Sequence, residues 1–197
     1  MKKILILILS LVLGTQAFGQ VYVDAGYVQS KINYKGFYNT TNMTGVNLNG
    51  NGGFLGVGTD IKLLGLSQLT LSPSFRFNIA NYDLYDINLV EYFLNVPVHI
   101  KYTHPIDKSA EIFISAGPSI LYSLGGKQKE HYLGDIYRSK ALDGGDFDIQ
   151  LGIEGGVSII QNLRFICGYD FGLLNQTREI KLKATRNTFH LGIGYIF

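Results

Sequence analysis

From Phe147 to Ile159 the chain alternates with a period of two. Phe147, Ile149, Leu151, Ile153, Val157 and Ile159 share one face, with Gly155 the single break. Asp148, Gln150, Gly152, Glu154, Gly156 and Ser158 share the other. Successive side chains of an extended strand point to opposite sides, so this pattern predicts a strand and excludes a helix of period 3.6. The same alternation returns in residues 163–173, 188–197 and 90–102, and in weaker form in 111–122, 69–79, 54–62 and 21–28. That makes eight strands, most of about ten residues, the length a tilted membrane strand needs.

Two architectures alternate in this way, and the composition of the two faces separates them. In a soluble β-sandwich the outward face is wet and polar. Here one face is wholly apolar and rich in Phe, Tyr, Ile and Leu, while the other mixes charge with glycine, as a narrow lumen requires. Tyr27, Tyr92, Tyr102, Tyr122, Tyr169 and Tyr195 fall on the apolar face, mostly near strand ends, where an aromatic girdle belongs. The expected connections also alternate: 33–52, 80–88, 125–145 and 177–186 are long or polar, whereas 64–68, 103–110 and 160–162 are short. Long outer loops opposite short periplasmic turns mark an outer-membrane barrel. The sequence therefore predicts an all-β fold, a closed antiparallel eight-stranded transmembrane β-barrel with up-and-down meander connectivity.

Composition supports this reading. Charged residues make up 16% of the chain, against about 25% in an average soluble domain. One cysteine excludes an internal disulfide framework, and Cys167 points to the lipid side by parity. A formal charge of +2 offers no basic footprint for nucleic acid. Lys2 and Lys3 account for that surplus, and they precede an apolar run from Ile4 to Leu13 and a small-residue site at Ala17 and Gly19. This is the layout of a secretory signal peptide over residues 1–19, leaving 20–197 as the barrel domain.

The residues also resemble a known group. Tyr92-Phe93-Leu94-Asn95-Val96-Pro97-Val98-His99-Ile100-Lys101-Tyr102 is similar to the pattern of PorT-like outer-membrane β-barrel domains, which share the architecture of small OmpX- and OmpW-type barrels. Ala116-Gly117-Pro118, the glycine-rich 151–156 strand and the ending Gly192-Ile193-Gly194-Tyr195-Ile196-Phe197 fit as well. The resemblance implies that Phe197 serves as a signal for the outer-membrane assembly machinery. It implies no catalytic residue, and it raises an accessory role in protein secretion.

The face opposite the lipid side carries Asp24, Asp60, Glu91, Glu111, Asp148, Glu154 and Asp170, together with Lys62, Arg76, Lys101, Arg164, His99 and His190. Charges inside a lumen just wide enough for side chains must pair or neutralise, so these residues are expected to form a structural polar network. Neither histidine has a serine two residues away on its own face, which removes the local signal for a nucleophile and its base. The glycines at 50–58 precede a strand rather than a helix N-terminus, so they lack the donors of a phosphate loop. Asp143, Asp146 and Asp148 lack the spacing and terminal glutamate of an EF-hand. No cofactor, metal or catalytic residue is implied, and the chain reads as a non-enzyme.

Two functional classes follow. In the first, the barrel anchors outer loops that contact envelope proteins, surface ligands or lipopolysaccharide, through Tyr34, Phe37 and Tyr38 in one loop and Lys127, Lys129, His131, Arg138 and Lys140 in another. In the second, the lumen or a lateral opening passes a small or apolar solute. The expected partners are outer-membrane lipid and lipopolysaccharide, the assembly machinery and envelope proteins, without nucleic acid.

Overall fold

The computed structural model describes residues 19–38, 41–42, 44–63, 66–84, 87–132, 135–142, 144–160, 162–175 and 182–197. Residues 1–18 of the expected leader, and 177–181 of the last expected loop, lie outside this set. The strands are β1 (Gly19–Tyr38), β2 (Thr41–Asn42), β3 (Asn47–Leu63), β4 (Leu66–Leu84), β5 (Ile87–Pro105), β6 (Ala110–Tyr132), β7 (Asp135–Leu142), β8 (Phe147–Ile159), β9 (Leu163–Gly172) and β10 (Leu182–Ile196). Among the described residues no α-helix occurs.

Eight strands close a ring of antiparallel neighbours, running β1, β3, β4, β5, β6, β8, β9, β10 and back to β1. Closure runs from Tyr22 opposite Ile196 to Gly36 opposite Leu182. Closure gives each of the eight strands a hydrogen-bonded neighbour on both sides, so the ring has no free edge strand. The two other segments lie at the end away from the short turns. There β2 pairs with the tip of β1, and β7 pairs with the upper part of β6. At one short turn, residues 106–109, the Asp107 carboxylate accepts the Ser109 N–H at 2.6 Å, the Ser109 hydroxyl at 3.0 Å and the Ala110 N–H at 2.7 Å. These donors hold its carboxyl below the usual carboxylate range, the Ser109 amide most of all.

The strands are longer than their sequence signal. Much of 33–52, expected as loop, is strand, because β1 runs on to Tyr38 and β3 starts at Asn47. β4 extends to Leu84 and β6 to Tyr132 within other expected loops. The physical reason is a change of sense in the alternation. Near the short-turn end, β1 presents Val23, Ala25 and Tyr27 outward and buries Asp24 inward. Further along, it turns Gln29, Asn33 and Lys35 outward and buries Val28 and Ile32. β4 repeats the change: Phe75, Phe77 and Ile79 face out over buried Arg76 and Asn78, then Asn81 and Asp83 face out around buried Ala80 and Tyr82. The first register suits lipid outside, and the second suits water outside. A pattern search tuned to apolar-out strands stops where the sense reverses.

The apolar core of the barrel therefore reaches into the extended end. Val28, Ile32, Leu48, Ala80, Tyr82, Phe93, Leu121 and Ala184 pack inside the ring, with Tyr34 and Leu89 against them. This packing holds the strands in order beyond the belt. β6, at 23 residues, is about twice the 9–11 residues that a membrane-spanning strand requires.

Candidate functional site

The polar side chains predicted to face inward converge in layers along the barrel axis. Glu154 of β8 is the centre of the middle layer. Arg76 of β4 donates to Glu154 Oε2, and Arg164 Nη2 of β9 donates to Oε1 at 3.1 Å. His190 of β10 places Nε2 at 3.0 Å from Glu154 Oε2 and at 3.1 Å from Arg76 Nη1. Arg76 offers a hydrogen and a Glu154 carboxylate requires one, so Nε2 serves one partner at a time. On the other side of the ring, His190 Nδ1 lies 3.7 Å from Asp170 Oδ2, which also accepts from Asn95 Nδ2 at 3.3 Å. Arg164 Nε reaches Asp24 Oδ1 at 3.4 Å and so links β1 to the same group.

Toward the short turns, Lys101 donates to Asp60 at 2.5 Å, and its ammonium sits 4.5 Å from the centre of the Phe113 ring. The Arg164 guanidinium lies between Tyr22 and Phe113, at 4.0 and 5.0 Å from their ring centres. Tyr22 in turn bonds Ser72 through its hydroxyl at 3.1 Å. Toward the extended end, Arg186 and Ser123 both donate to Glu91 Oε1 at 2.9 Å, and Arg186 lies 5.4 Å from the centre of the Phe93 ring. Stacking on aromatic faces and pairing with carboxylates are the two ways a guanidinium is accommodated away from water.

Inward glycines make room for these groups. A Cβ on Gly152 would lie 2.3 Å from Asp170 Oδ1 and 2.7 Å from His99 Nε2. A Cβ on Gly58 would strike the Tyr22 ring at 2.4 Å. The mixture of charge and glycine on one face of the sequence is thus a packing requirement: large polar side chains from one strand occupy the space above glycines of another.

The sequence placed thirteen residues in this network. Asp24, Asp60, Arg76, Glu91, His99, Lys101, Asp148, Glu154, Arg164, Asp170 and His190 are all buried in the lumen. Asp148 lies apart from the Glu154 group and accepts the Leu174 N–H at 3.1 Å and Gln150 Nε2 at 3.4 Å. Lys62 and Glu111 differ from that expectation. Lys62 is exposed and Glu111 half-buried, because both sit at the short-turn end, where the ring opens to water and β3 shifts register after Lys62. Phe197 lies outside the wall, 69% exposed. Its ring packs edge-on against Tyr195 at 5.0 Å, and its amide donates to Val21 O at 2.8 Å. His190 stands beside Glu154 at the middle of the barrel. Arg186, at the end of the expected connection 177–186, is a buried partner of Glu91. Its parity with Thr188 and His190 was the available signal.

The structure supplies a cross-strand partner that sequence spacing could not show. Ser115 Oγ lies 3.3 Å from His99 Nδ1, and Asp170 and His99 flank the same glycine, Gly152. These are the residue types of a nucleophile, a base and an orienting acid, but all three are at most 4% exposed. Acyl transfer needs a site for substrate beside the nucleophile, and here aromatic and charged side chains occupy the surrounding lumen. The arrangement joins β5 to β6 by a hydrogen bond, with Asp170 of β9 beside it.

No protein-family model matches the sequence, and no curated protein matches it. Solved structures do resemble the fold. The outer membrane enzyme PagL is 12% identical with a TM-score of 0.50, covering 89% of this chain and 98% of its own. Neisserial surface protein A is 14% identical with a TM-score of 0.49, over 89% and 95% of the two chains. Ail, the attachment invasion locus protein of Yersinia pestis, is 15% identical with a TM-score of 0.46, over 91% and 99%. The presence of PagL among them means that this architecture by itself does not exclude an enzyme. At such identities the likeness concerns architecture: the chain has the fold of the small eight-stranded β-barrels of the bacterial outer membrane.

Proposed function

We propose that the chain is an integral β-barrel of the bacterial outer membrane, a filled and rigid anchor whose strand extensions engage an envelope protein or surface ligand. The observation that carries the membrane reading is the outward belt. Leu55, Ile100, Ile114, Leu151, Phe165 and Leu191 come from six different strands, and all are exposed, Leu55 at 59%. Soluble monomers rarely expose contiguous apolar patches beyond a few hundred Å², and here the belt runs around a ring whose charges are inside. In this reading residues 1–19 are the export signal, and the short turns face the periplasm.

The interaction reading rests on the interior. Side chains from all eight ring strands fill the lumen, and the extended strands are held together by an apolar core. A rigid platform beyond the membrane suits recognition better than passage of solute. The similarity of residues 92–102 to PorT-like domains adds a protein-secretion complex as one class of partner. Purified barrel in a planar bilayer should be electrically silent, and crosslinking in cells should recover a partner that is lost when the β6–β7 hairpin, residues 127–141, is removed. Discrete conductance from folded protein would favour the solute-transport reading. Unchanged partner recovery after removal of this hairpin and of the β1–β3 tip, residues 35–46, would sink the interaction reading.

A further inference from the structure

The outer wall of β1 and β10 holds an unusual juxtaposition just beyond the apolar belt. In the closing ladder Lys35 stands directly opposite Lys183, and Lys31 opposite Asn187. Their intervening neighbours fix the face: Tyr34 and Ala184, also opposite each other, pack into the interior, so Lys35 and Lys183 project outward. Both are exposed and Lys31 is half-buried. Residues directly opposite in an antiparallel pair have Cβ atoms about 5 Å apart, and like charges there are destabilising. No described carboxylate relieves this pair, since none of the three lysines forms an ion pair among the described residues. The same face carries Thr185 on β10 and Asn33 on β1, with Asn47 and Asn49 opposite β1 on β3. These are hydrogen-bonding groups without negative charge.

The position of the patch selects its ligand. Tyr27 and Phe189 are the last aromatic residues of the belt on these two strands, and Lys31 lies four residues beyond Tyr27. This is the level at which lipid headgroups meet the wall. We propose that Lys31, Lys35 and Lys183 form a binding site for the phosphate groups of an anionic glycolipid headgroup, in the leaflet where the extended strands emerge. The inference rests on the outer-membrane reading above and adds to it a site and a ligand chemistry. A phosphate set between Lys35 and Lys183 converts a repulsive cross-strand pair into two charge-assisted contacts.

The test uses the full mature chain, refolded in detergent, with fluorescent lipopolysaccharide as the probe, before and after enzymatic removal of its phosphates, and with inorganic phosphate as competitor. The wild-type chain is expected to bind the phosphorylated form and to lose that preference when the phosphates are removed. The triple variant Lys31→Gln, Lys35→Gln, Lys183→Gln should bind the phosphorylated form about a hundredfold more weakly, and Lys35→Gln alone about fivefold. The variant Lys62→Gln, at the exposed rim of the short-turn end, should keep wild-type affinity. Equal binding by wild type and the triple variant, or no preference for phosphorylated lipid, overturns the site. Displacement of the lipid by equimolar inorganic phosphate overturns the lipid as its source. Each protein is first run on a gel with and without boiling. Wild-type chain that shows no SDS-resistant form counts against the barrel reading itself, whereas SDS-resistant protein without phosphate preference counts against this site alone.

Discussion

Replacing Glu154 with leucine should destabilise the folded barrel by about 3–5 kcal/mol, read as a shift in the urea midpoint of its SDS-resistant form. The magnitude is that of breaking a buried ion pair by removing one partner. Glu154 accepts from Arg76 and Arg164, and His190 Nε2 lies 3.0 Å from it. Its loss leaves Arg164 with Asp24 and leaves Arg76 without a carboxylate in ion-pair contact among the described residues. A guanidinium left in this state, with its side chain 4% exposed, keeps its desolvation cost and loses the attraction that offset it. The cycle with Arg76→Met distinguishes this account from a simple cavity effect. In the Glu154→Leu background, Arg76→Met should recover part of the loss, because the second change removes the stranded charge. Lys62→Gln, at the exposed rim, should shift stability by less than about 0.5 kcal/mol. A Glu154→Leu loss of under 1 kcal/mol would mean that the middle layer is hydrated and adds little to the fold.

The neighbouring residue makes the opposite demand. Ile153 faces outward, paired in the wall with Ala116 and Tyr169, at the middle of β8. Ile153→Lys should cost about 2–4 kcal/mol, and Ile159→Lys, at the end of the same strand, about 0–1. The gradient is the informative part. A charge on the lipid side is penalised according to its depth, since near the interface a lysine reaches headgroups and water. If the apolar face of β8 were instead the inside of a soluble sandwich, its interior positions would share one penalty set by burial. Equal losses at 153 and 159 would therefore contradict the belt.

These two residues also show how much of the fold the sequence carried. Wherever one face of a strand is apolar and outward and the other faces the lumen, a period of two is legible, and the side assigned to Glu154 and to Ile153 follows from it alone. The ring order followed too, because consecutive strands joined by short turns pair with each other. Strand length did not follow, because Asn33 and Lys35 read as loop when judged by apolarity, and Lys31 lies beyond the apolar stretch 21–28. Their alternation continues with polar residues outward in place of apolar ones, and Ile32 and Leu48 inside are what hold it.

The polar interior was half legible. Of the thirteen residues that parity places in the lumen, eleven are buried there, but pairings across the barrel, such as Arg76 with Glu154, depend on register and tilt. So do the opposition of Lys35 to Lys183 and the approach of Ser115 to His99. Arg186 was missed for the same reason as the strand extensions. Lys62 was misplaced because parity says which way a side chain points and not whether the wall still encloses it.

The wall changes sense along its length, with an outward face suited to lipid as far as Tyr27 and to water beyond it. The most direct measurement is a single-cysteine scan of the outward positions of β1 at residues 23, 25, 29, 31 and 35, in a Cys167→Ser background because Cys167 is itself exposed. Each cysteine is labelled with a small fluorophore, and the protein is placed in vesicles with nitroxide-bearing lipid. Labels at 23 and 25 should be strongly quenched by the lipid nitroxide and shielded from a water-soluble quencher, and labels at 31 and 35 should show the reverse. Absence of lipid quenching at 23 and 25, or quenching that continues undiminished to 35, would contradict it.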